Sequence, residues 1–494
     1  MQKTICIKIF AVLLFACYQH AFAEVYKHID AKGRVTYTDK PALIQPNKNK
    51  PSKAQSANTQ TTTTKPSAAQ NTNQTAQPLA ATTSIPITST PSDTSNRYTG
   101  HGRSNYIAYT TSNSSILPFL ENPKPVIRAW LLSHVWRMFA FSPYYDNKLS
   151  RSPPAWLYKD AYAVYPTGNQ NETMTLDNAT EFILRDANGQ LLYIPYDCKN
   201  GSCPQLAADI GNQAFRDLWI KQARSKLTLG YKGIHVDDVN LDWRVSDGHG
   251  NFTAPIDPRT NKAMTLADWR RYFAEFTEQI RAAFPNAEIV HNSLWWVPDT
   301  DPFAARQLKA ANIINIERGV VDDGLTHGKG PFGFETLLDY VDKRHAHGTN
   351  VLYFAYGTTQ TACEYNLASY FLTSTGKDGT TCLYANAPDN WWKGYDVALG
   401  NPIGDRVKLA NGVLKRNYEY GVVLVNQPGA PTVTTSLAGK FKTLAGSNSA
   451  DITTTEIPAS TASQAYLSNA ASTTTHIVLS EKRGVILLYD APQN

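Results

Sequence analysis

From about residue 99 to about residue 402 the chain alternates short apolar runs with stretches of helical spacing, and no other feature limits the fold as much. "NYIAYT" comes first, then "RMFAFSPYY" and "AYAVYP". "NQAFRDLWIKQARSKLTLGY" has helical spacing and leads into "GIHVDD". "TLADWRRYFAEFTEQIRAAFP" is amphipathic, with Thr265 as N-cap and Pro285 as stop. "AEIVHNS", "ANIINIERG", the helix "GFETLLDYVDKRHAHG" and "NVLYFAYG" follow. Strands separated by helices form parallel pairs, because a parallel pair needs a crossover. The number of units suits an α/β fold of the (β/α)8 TIM-barrel type over residues 99–402, with a doubly wound open sheet as the alternative. No G-x-G-x-x-G or P-loop stands at a strand-to-helix turn, which argues against nucleotide binding.

The flanks read differently. After residue 403, "YGVVLVNQ", "TVTTSL", "KFKTLAG", "HIVLSE" and "GVILLYD" are short strands between turn residues. They predict a C-terminal all-β, sandwich-like domain over 403–494. Residues 46–98 are Thr, Ser, Gln, Asn, Pro and Ala with almost no aromatics. Such a segment cannot bury enough apolar surface to offset chain entropy, so a disordered linker is expected. Before it, "VYKHID" and "RVTYTD" flank Ala31-Lys32-Gly33, the pattern of a β-hairpin in a small module over 24–45. Residues 1–23 have the form of a secretory signal: Lys3 and Lys8, the apolar run Ile9–Cys17, then Ala21-Phe22-Ala23. Lipoprotein processing at Cys17 is the alternative. No later apolar run is long enough to span a bilayer.

A periplasmic or secreted chain with Cys198, Cys203, Cys363 and Cys382 left after cleavage favours disulfides. Proximity suggests Cys198–Cys203 and Cys363–Cys382. Their spacing is not that of a zinc site, and no metal or cofactor is expected. The net charge of +6 is spread along the chain, so it reads as solubility and not as a nucleic-acid footprint. A monomer is expected.

Side chains alternate along a strand, which sorts the candidate residues. In "GIHVDD", Ile234 and Val236 share the face that packs on helices. His235 and Asp237 then point into the barrel, with Asp237 at the C-terminal end, where barrel active sites are built. Asp238 has the opposite parity and reads as a loop anchor or a support for its neighbour, though aspartates there also cap turns. In "ANIINIERG", Asn315 and Glu317 face inward, with Glu317 at the strand end; an ion pair with Arg318 or a lysine is the plainer alternative. In "IVHNS", Asn292 ends near the rim. Taken in chain order these are the fourth, fifth and sixth strands. Asp237 and Glu317 then converge across the mouth, as glycoside hydrolysis by paired carboxylates requires. On this reading Asp237 is nucleophile or base, and Glu317, ending an Ile-rich strand, is held protonated by desolvation.

"EVYKHIDAKGRVTYTDKP" resembles the module called domain of unknown function 4124, which implies no chemistry. "GYKGIHVDDVNLDW" resembles the "GFDGVFLD" strand of barrel glycoside hydrolases, and its spacing to "VHNS" and "INIERG" resembles the polygalactosaminidase-like hydrolases. "WLYKDAYAVY", "FILRDANGQLLYIP" and "YEYGVVLVN" look closer to the hypothetical glycosyl hydrolase-like proteins numbered family 15. The likeness spans roughly residues 100 to 430 and implies Asp237 and Glu317 as the catalytic pair. One departure is Lys232, where the family has an aspartate.

Aromatics support a sugar substrate, since sugar rings stack their C–H faces on aromatic planes. Trp243, Trp295, Trp296, Trp391 and Trp392 fall in expected loops, with one Trp of each pair in the core and one of Trp295 and Trp296 lining the cleft. Asp209 precedes a helix as a cap candidate and is also placed in the cleft. His235, Asp238, Asn292 and Tyr356 complete the expected sugar-binding set. His345-Ala346-His347 is expected as an exposed aid to a helix C-terminus. These features predict an exported glycoside hydrolase acting on an envelope or extracellular polysaccharide. The alternative is a non-catalytic glycan-binding or structural protein on the same scaffold.

Overall fold

The computed structural model describes residues 26–29, 35–38, 102–110, 114–166, 174–444 and 473–489. The expected signal and linker lie outside the described residues. Tyr26–Ile29 and Val35–Thr38 pair antiparallel, with Ile29 opposite Val35 and Tyr26 opposite Thr38.

Eight strands run parallel in chain order: Ile107–Thr110, Arg137–Phe141, Ala155–Asp160, Gly233–Val239, Glu288–Ser293, Ile313–Glu317, Asn350–Phe354 and Gly379–Thr381. They are called first to eighth below. A parallel bridge between Tyr106 and Thr380 joins the eighth to the first, with Thr380 N donating to Asn105 O at 3.0 Å. The sheet is thereby a barrel, and Asp237, Asn292 and Glu317 lie on its fourth, fifth and sixth strands as expected.

The two faces separate as side-chain alternation demands. Ile107, Phe139, Trp156, Val290, Ile313, Leu352 and Phe354 fill the interior. Ile234, Val236, Ile314 and Ile316 join the outer core beneath the helices. The helix Leu266–Ala283 begins with a capping box, in which Thr265 and Asp268 satisfy each other's backbone N–H groups. It ends two residues before Pro285.

The third strand departs from the sequence reading. "AYAVYP" contains only the two-residue strand Ala163–Val164, paired antiparallel with Leu206–Ala207. The barrel strand is the preceding "AWLYKD". Its outward position 159 is a lysine with only 1 % of its surface exposed. Lys159 Nζ donates to Gln222 Oε1 at 3.0 Å and lies 5.0 Å over the Trp219 ring. Burial drives its pKa well below the ordinary value, so the amine is accommodated where an apolar residue would be expected.

The C-terminal strands form one six-stranded antiparallel sheet, in the order Pro402–Lys408, Leu414–Tyr418, Gly421–Asn426, Arg483–Tyr489, Val433–Thr443, Thr473–Leu479. One face lies on the barrel helix Gln360–Thr373: a Cβ on Gly484 would come within 2.8 Å of both Ala368 Cβ and Tyr365 Cα. On its other side Val422, Leu424, Leu479, Val485 and Leu487 form a separate cluster, and the register of the long strand Val433–Thr443 shifts between Ser436 and Phe441.

Candidate active site

The two aspartates of "VDDV" lie in a β-bulge. Val236 pairs with His291 and Val239 with Ser293, so Asp237 and Asp238 together face the single residue Asn292. Asp238 has φ +53°, a left-handed conformation that costs a non-glycine residue free energy and recurs at functional sites. Asp237 keeps the inward parity of His235, and Asp238 turns instead towards Asn240 and Arg244. Asn240 Nδ2 donates to Asp238 Oδ1 at 2.9 Å, and Arg244 Nη1 lies 3.9 Å from the same oxygen. Burial pushes the Asp238 carboxyl up to about 6; Arg244 opposes the shift and Asp237 adds to it. Asp238 therefore supports its neighbour and anchors the following loop.

Three donors converge on Asp237. Asn292 Nδ2 donates to Oδ1 at 2.7 Å, the Asp238 backbone N–H to the same oxygen at 2.8 Å, and the Tyr158 hydroxyl to Oδ2. Asn292 Nδ2 also donates to Glu317 Oε2 at 2.8 Å, and Tyr356 OH to Glu317 Oε1 at 3.1 Å. One nitrogen thus touches both carboxylates, so the two oxygens it bridges are at most about 5.5 Å apart, an upper bound that fits the close carboxyl pair of retaining glycosidases (~5–5.5 Å) better than the ~6.5–9.5 Å of inverting ones. Burial first, then the charges of Asp237 and Glu317, raise the phenols of Tyr109 and Tyr356. Burial and Asp237 do the same at Tyr158. All three remain protonated donors at neutral pH.

Several expected members stand elsewhere. Glu317 is exposed and not buried at its strand end as the Ile-rich run suggested. His235 faces inward but lies beneath Asp237 at 3 % exposure, 4.3 Å from the Phe139 ring, out of reach of a sugar. Burial lowers its pKa to about 4. Asp209 is buried, with both oxygens held by Arg259 at 3.0 Å and Gly211 N donating to Oδ1. It fixes the turn before the helix Gln213–Leu227, whose N-cap is Asn212. Trp295 is core, against Phe332 and Tyr340, while Trp296 beside it is half-buried. Trp391 and Trp392 are both buried, so neither offers a face to a ligand. His345 is no exposed cap: its Nε2 lies 2.8 Å from the fully buried Asp378.

The residues that sequence reading missed come mainly from the third strand. Tyr158 and Asp160 sit in register with His235 and Asp237 and share their inward parity. Alternation applied to "AWLYKD" finds both. Arg244 comes from the loop after the fourth strand. Burial works against its charge, but Asp238, Tyr162, Glu317 and Asp237 outweigh this and raise its pKa. Among the described residues, no group of three His, Cys, Asp or Glu side chains is placed to hold a metal ion.

Residues 10–77 match the family described as Domain of unknown function (DUF4124), which takes in the N-terminal hairpin. No curated protein matches the chain. Among solved structures, the chain is similar to the glycoside hydrolase domain of PelA from Pseudomonas aeruginosa, at 13% identity over 56% of this chain and 94% of that one, with TM-score 0.33. Ega3 of Aspergillus fumigatus in complex with galactosamine is similar at 11% identity over 62% and 98%, TM-score 0.33. The trehalose-6-phosphate hydrolase TreA of Bacillus licheniformis is similar at 10% identity over 79% and 99%, TM-score 0.39. Likeness at this level says nothing of the chemistry here; the barrel stands on its own strand order and closure.

Proposed function

We propose that the chain is an exported, retaining glycoside hydrolase of polysaccharides, with Asp237 as nucleophile and Glu317 as acid and base. The observation that carries this reading is the shared donor, Asn292 Nδ2, which holds the two carboxylates close at the open end of the barrel. In the first step Glu317 gives a proton to the glycosidic oxygen while Asp237 attacks the anomeric carbon. The bond to the leaving oxygen breaks and a glycosyl ester forms. In the second step Glu317 takes a proton from water, the water oxygen attacks the same carbon, and the ester bond to Asp237 breaks. Tyr158, Asn292 and the Asp238 N–H aim the Asp237 carboxylate throughout, which is the preorganisation such a step needs.

Tyr109, Tyr356 and half-buried Trp296 supply rings and hydroxyls suited to a sugar chain. The signal-like start and the disulfides Cys198–Cys203 and Cys363–Cys382 support export. Among the described residues no helix is long and apolar enough to cross a membrane.

The test is hydrolysis of a panel of neutral, acidic and amino-sugar polysaccharides, with the anomer of the first product followed by proton NMR. Retention is expected, with Asp237→Asn inactive. Inversion would remove the nucleophile role from Asp237. Binding without turnover across the panel would favour a glycan-binding protein.

A further inference from the structure

Asp160 ends the third strand, its Cα opposite that of Asp237. Its Oδ1 accepts from Tyr162 N at 2.8 Å and Ala163 N at 2.7 Å, so one oxygen sets the turn into the following loop. The other oxygen, Oδ2, is buried and has no hydrogen-bond partner among the described residues, and the residue is 7 % exposed. An ionised carboxylate would not be left in this state, because a buried charge without a partner is among the costliest arrangements a protein can hold. A carboxylic acid avoids most of that cost.

The neighbours lead to the same conclusion. Asp237 and Asp238 face Asp160 from the fourth strand, while Tyr158 and Lys159 flank it on its own strand and Tyr162 follows in the loop. The Trp219 indole on the packed helix donates to the Asp160 carbonyl and not to its side chain. Lys159 points away, to Gln222. Arg244 is within ion-pair distance of Asp238 instead.

We propose that Asp160 is a positioning residue of the Asp237–Glu317 site: a neutral carboxylic acid that fixes the loop behind Asp237 and keeps a third negative charge away from the Asp237–Asp238 pair. Burial, then Asp238 and Asp237, raise its pKa well above the ordinary carboxyl value, while the two N–H donors resist this. The arrangement allows Asp237 to lose its charge in the ester and regain it on release without a further buried anion beside it. This role rests on the hydrolase reading, whereas the protonation state does not.

The decisive experiment therefore includes a readout free of activity. Isotope-edited infrared spectra of the full chain labelled at Asp carboxyl carbons should show at pH 7 a protonated carboxyl band that is missing from the Asp160→Asn chain. Absence of that band overturns the proposal without touching the hydrolase reading. Asp160→Asn preserves an oxygen for Tyr162 N and Ala163 N and is neutral at every pH. Its melting temperature relative to the unmodified chain should rise with pH from about 4, the ordinary Asp value, and go on rising through neutral pH. A flat or falling difference also overturns the proposal. In hydrolysis assays Asp160→Asn should shift the alkaline limb of kcat/KM to higher pH, an effect that a purely structural cap would not produce. An unchanged limb would leave Asp160 as a turn-former only and remove its role at the site.

Discussion

Asp237 and Glu317 accept hydrogen bonds from the same nitrogen. Asn292 Nδ2 lies 2.7 Å from Asp237 Oδ1 and 2.8 Å from Glu317 Oε2. The three residues come from consecutive strands, so the spacing of the carboxylates is set by the sheet and not by a loop. Strand positions hold geometry more tightly than loops do, which suits a site where small displacements are costly.

Asn292→Ala should leave the barrel folded and reduce kcat/KM by about 10- to 150-fold, the range expected for loss of a hydrogen bond worth ~1.5–3 kcal/mol to a charged group. Asn292→Asp should be worse, since it puts a third carboxylate between the other two. Steady-state kinetics with circular dichroism as a folding control checks both. Activity of Asn292→Asp equal to that of the unmodified chain would mean the bridge does not matter.

Tyr158→Phe deletes one donor to Asp237 and nothing else at the rim. Its ring still stacks on Phe141, with centroids 4.2 Å apart. Turnover should fall by about tenfold or more, as for any charge-directed hydrogen bond. Substrate affinity measured calorimetrically on the inactive Asp237→Asn background should be unchanged. Loss of affinity instead would place Tyr158 in substrate binding.

Alternation along strands made much of this site legible in the sequence. It put Asp237 and Glu317 on inward positions, because Ile234, Val236, Ile314 and Ile316 leave little choice of outward face, and it put Asn292 near the rim of the strand between them. It missed Tyr158 and Asp160 because Lys159 occupies an outward, buried position where an apolar residue would have marked the strand. The bulge at Asp237–Asp238 was also hidden: one sequence position cannot reveal that its partner strand has one residue fewer. The Trp391–Trp392 pair failed for a different cause. A large aromatic in a loop is as useful for covering the outer core as for stacking on a sugar, and Trp391 and Trp392 do the former.

Glu317→Gln and Asp237→Asn should separate on substrate chemistry. On a natural glycan both should lose several orders of magnitude in turnover. On an aryl glycoside with a good leaving group, Glu317→Gln should retain appreciable activity, because little protonation is needed, while Asp237→Asn should not. The opposite order in a kinetic comparison would exchange the roles.

The Cys363–Cys382 disulfide lies directly behind the site. Both sulfurs approach Gly357 O, at 3.4 and 3.2 Å, next to Tyr356. Replacing both cysteines by serine should cost about 3 kcal/mol in stability, the loop-closure value for a loop of this length. It should also reduce turnover more than the Cys198–Cys203 double replacement does, since only the former bridge backs the donor to Glu317. Denaturant melts and kinetics on the two variants give the comparison; equal kinetic effects would refute it.

His235 and the solvent pH supply the last prediction. The ring is buried between Phe139 and Tyr158, and burial lowers its pKa from 6.5 to about 4, with Asp237 only partly opposing. The folded chain therefore keeps a neutral imidazole over a range in which the unfolded chain takes up a proton. Stability from this group is complete above pH 6.5 and is lost as pH falls from about 6.5 towards 4, by roughly 3 kcal/mol in all. His235→Gln cannot take up that proton in either state. Its melting temperature relative to the unmodified chain should rise as pH falls through this window and stay level above it. Asp238, whose pKa is raised, has the opposite slope: its stability contribution is present below about pH 4 and is lost as pH rises towards 6. Asp238→Asn should therefore gain on the unmodified chain as pH rises, so the two variants should show opposite trends between pH 4 and 6. Parallel trends in differential scanning calorimetry would show that one of these side chains is not buried as described.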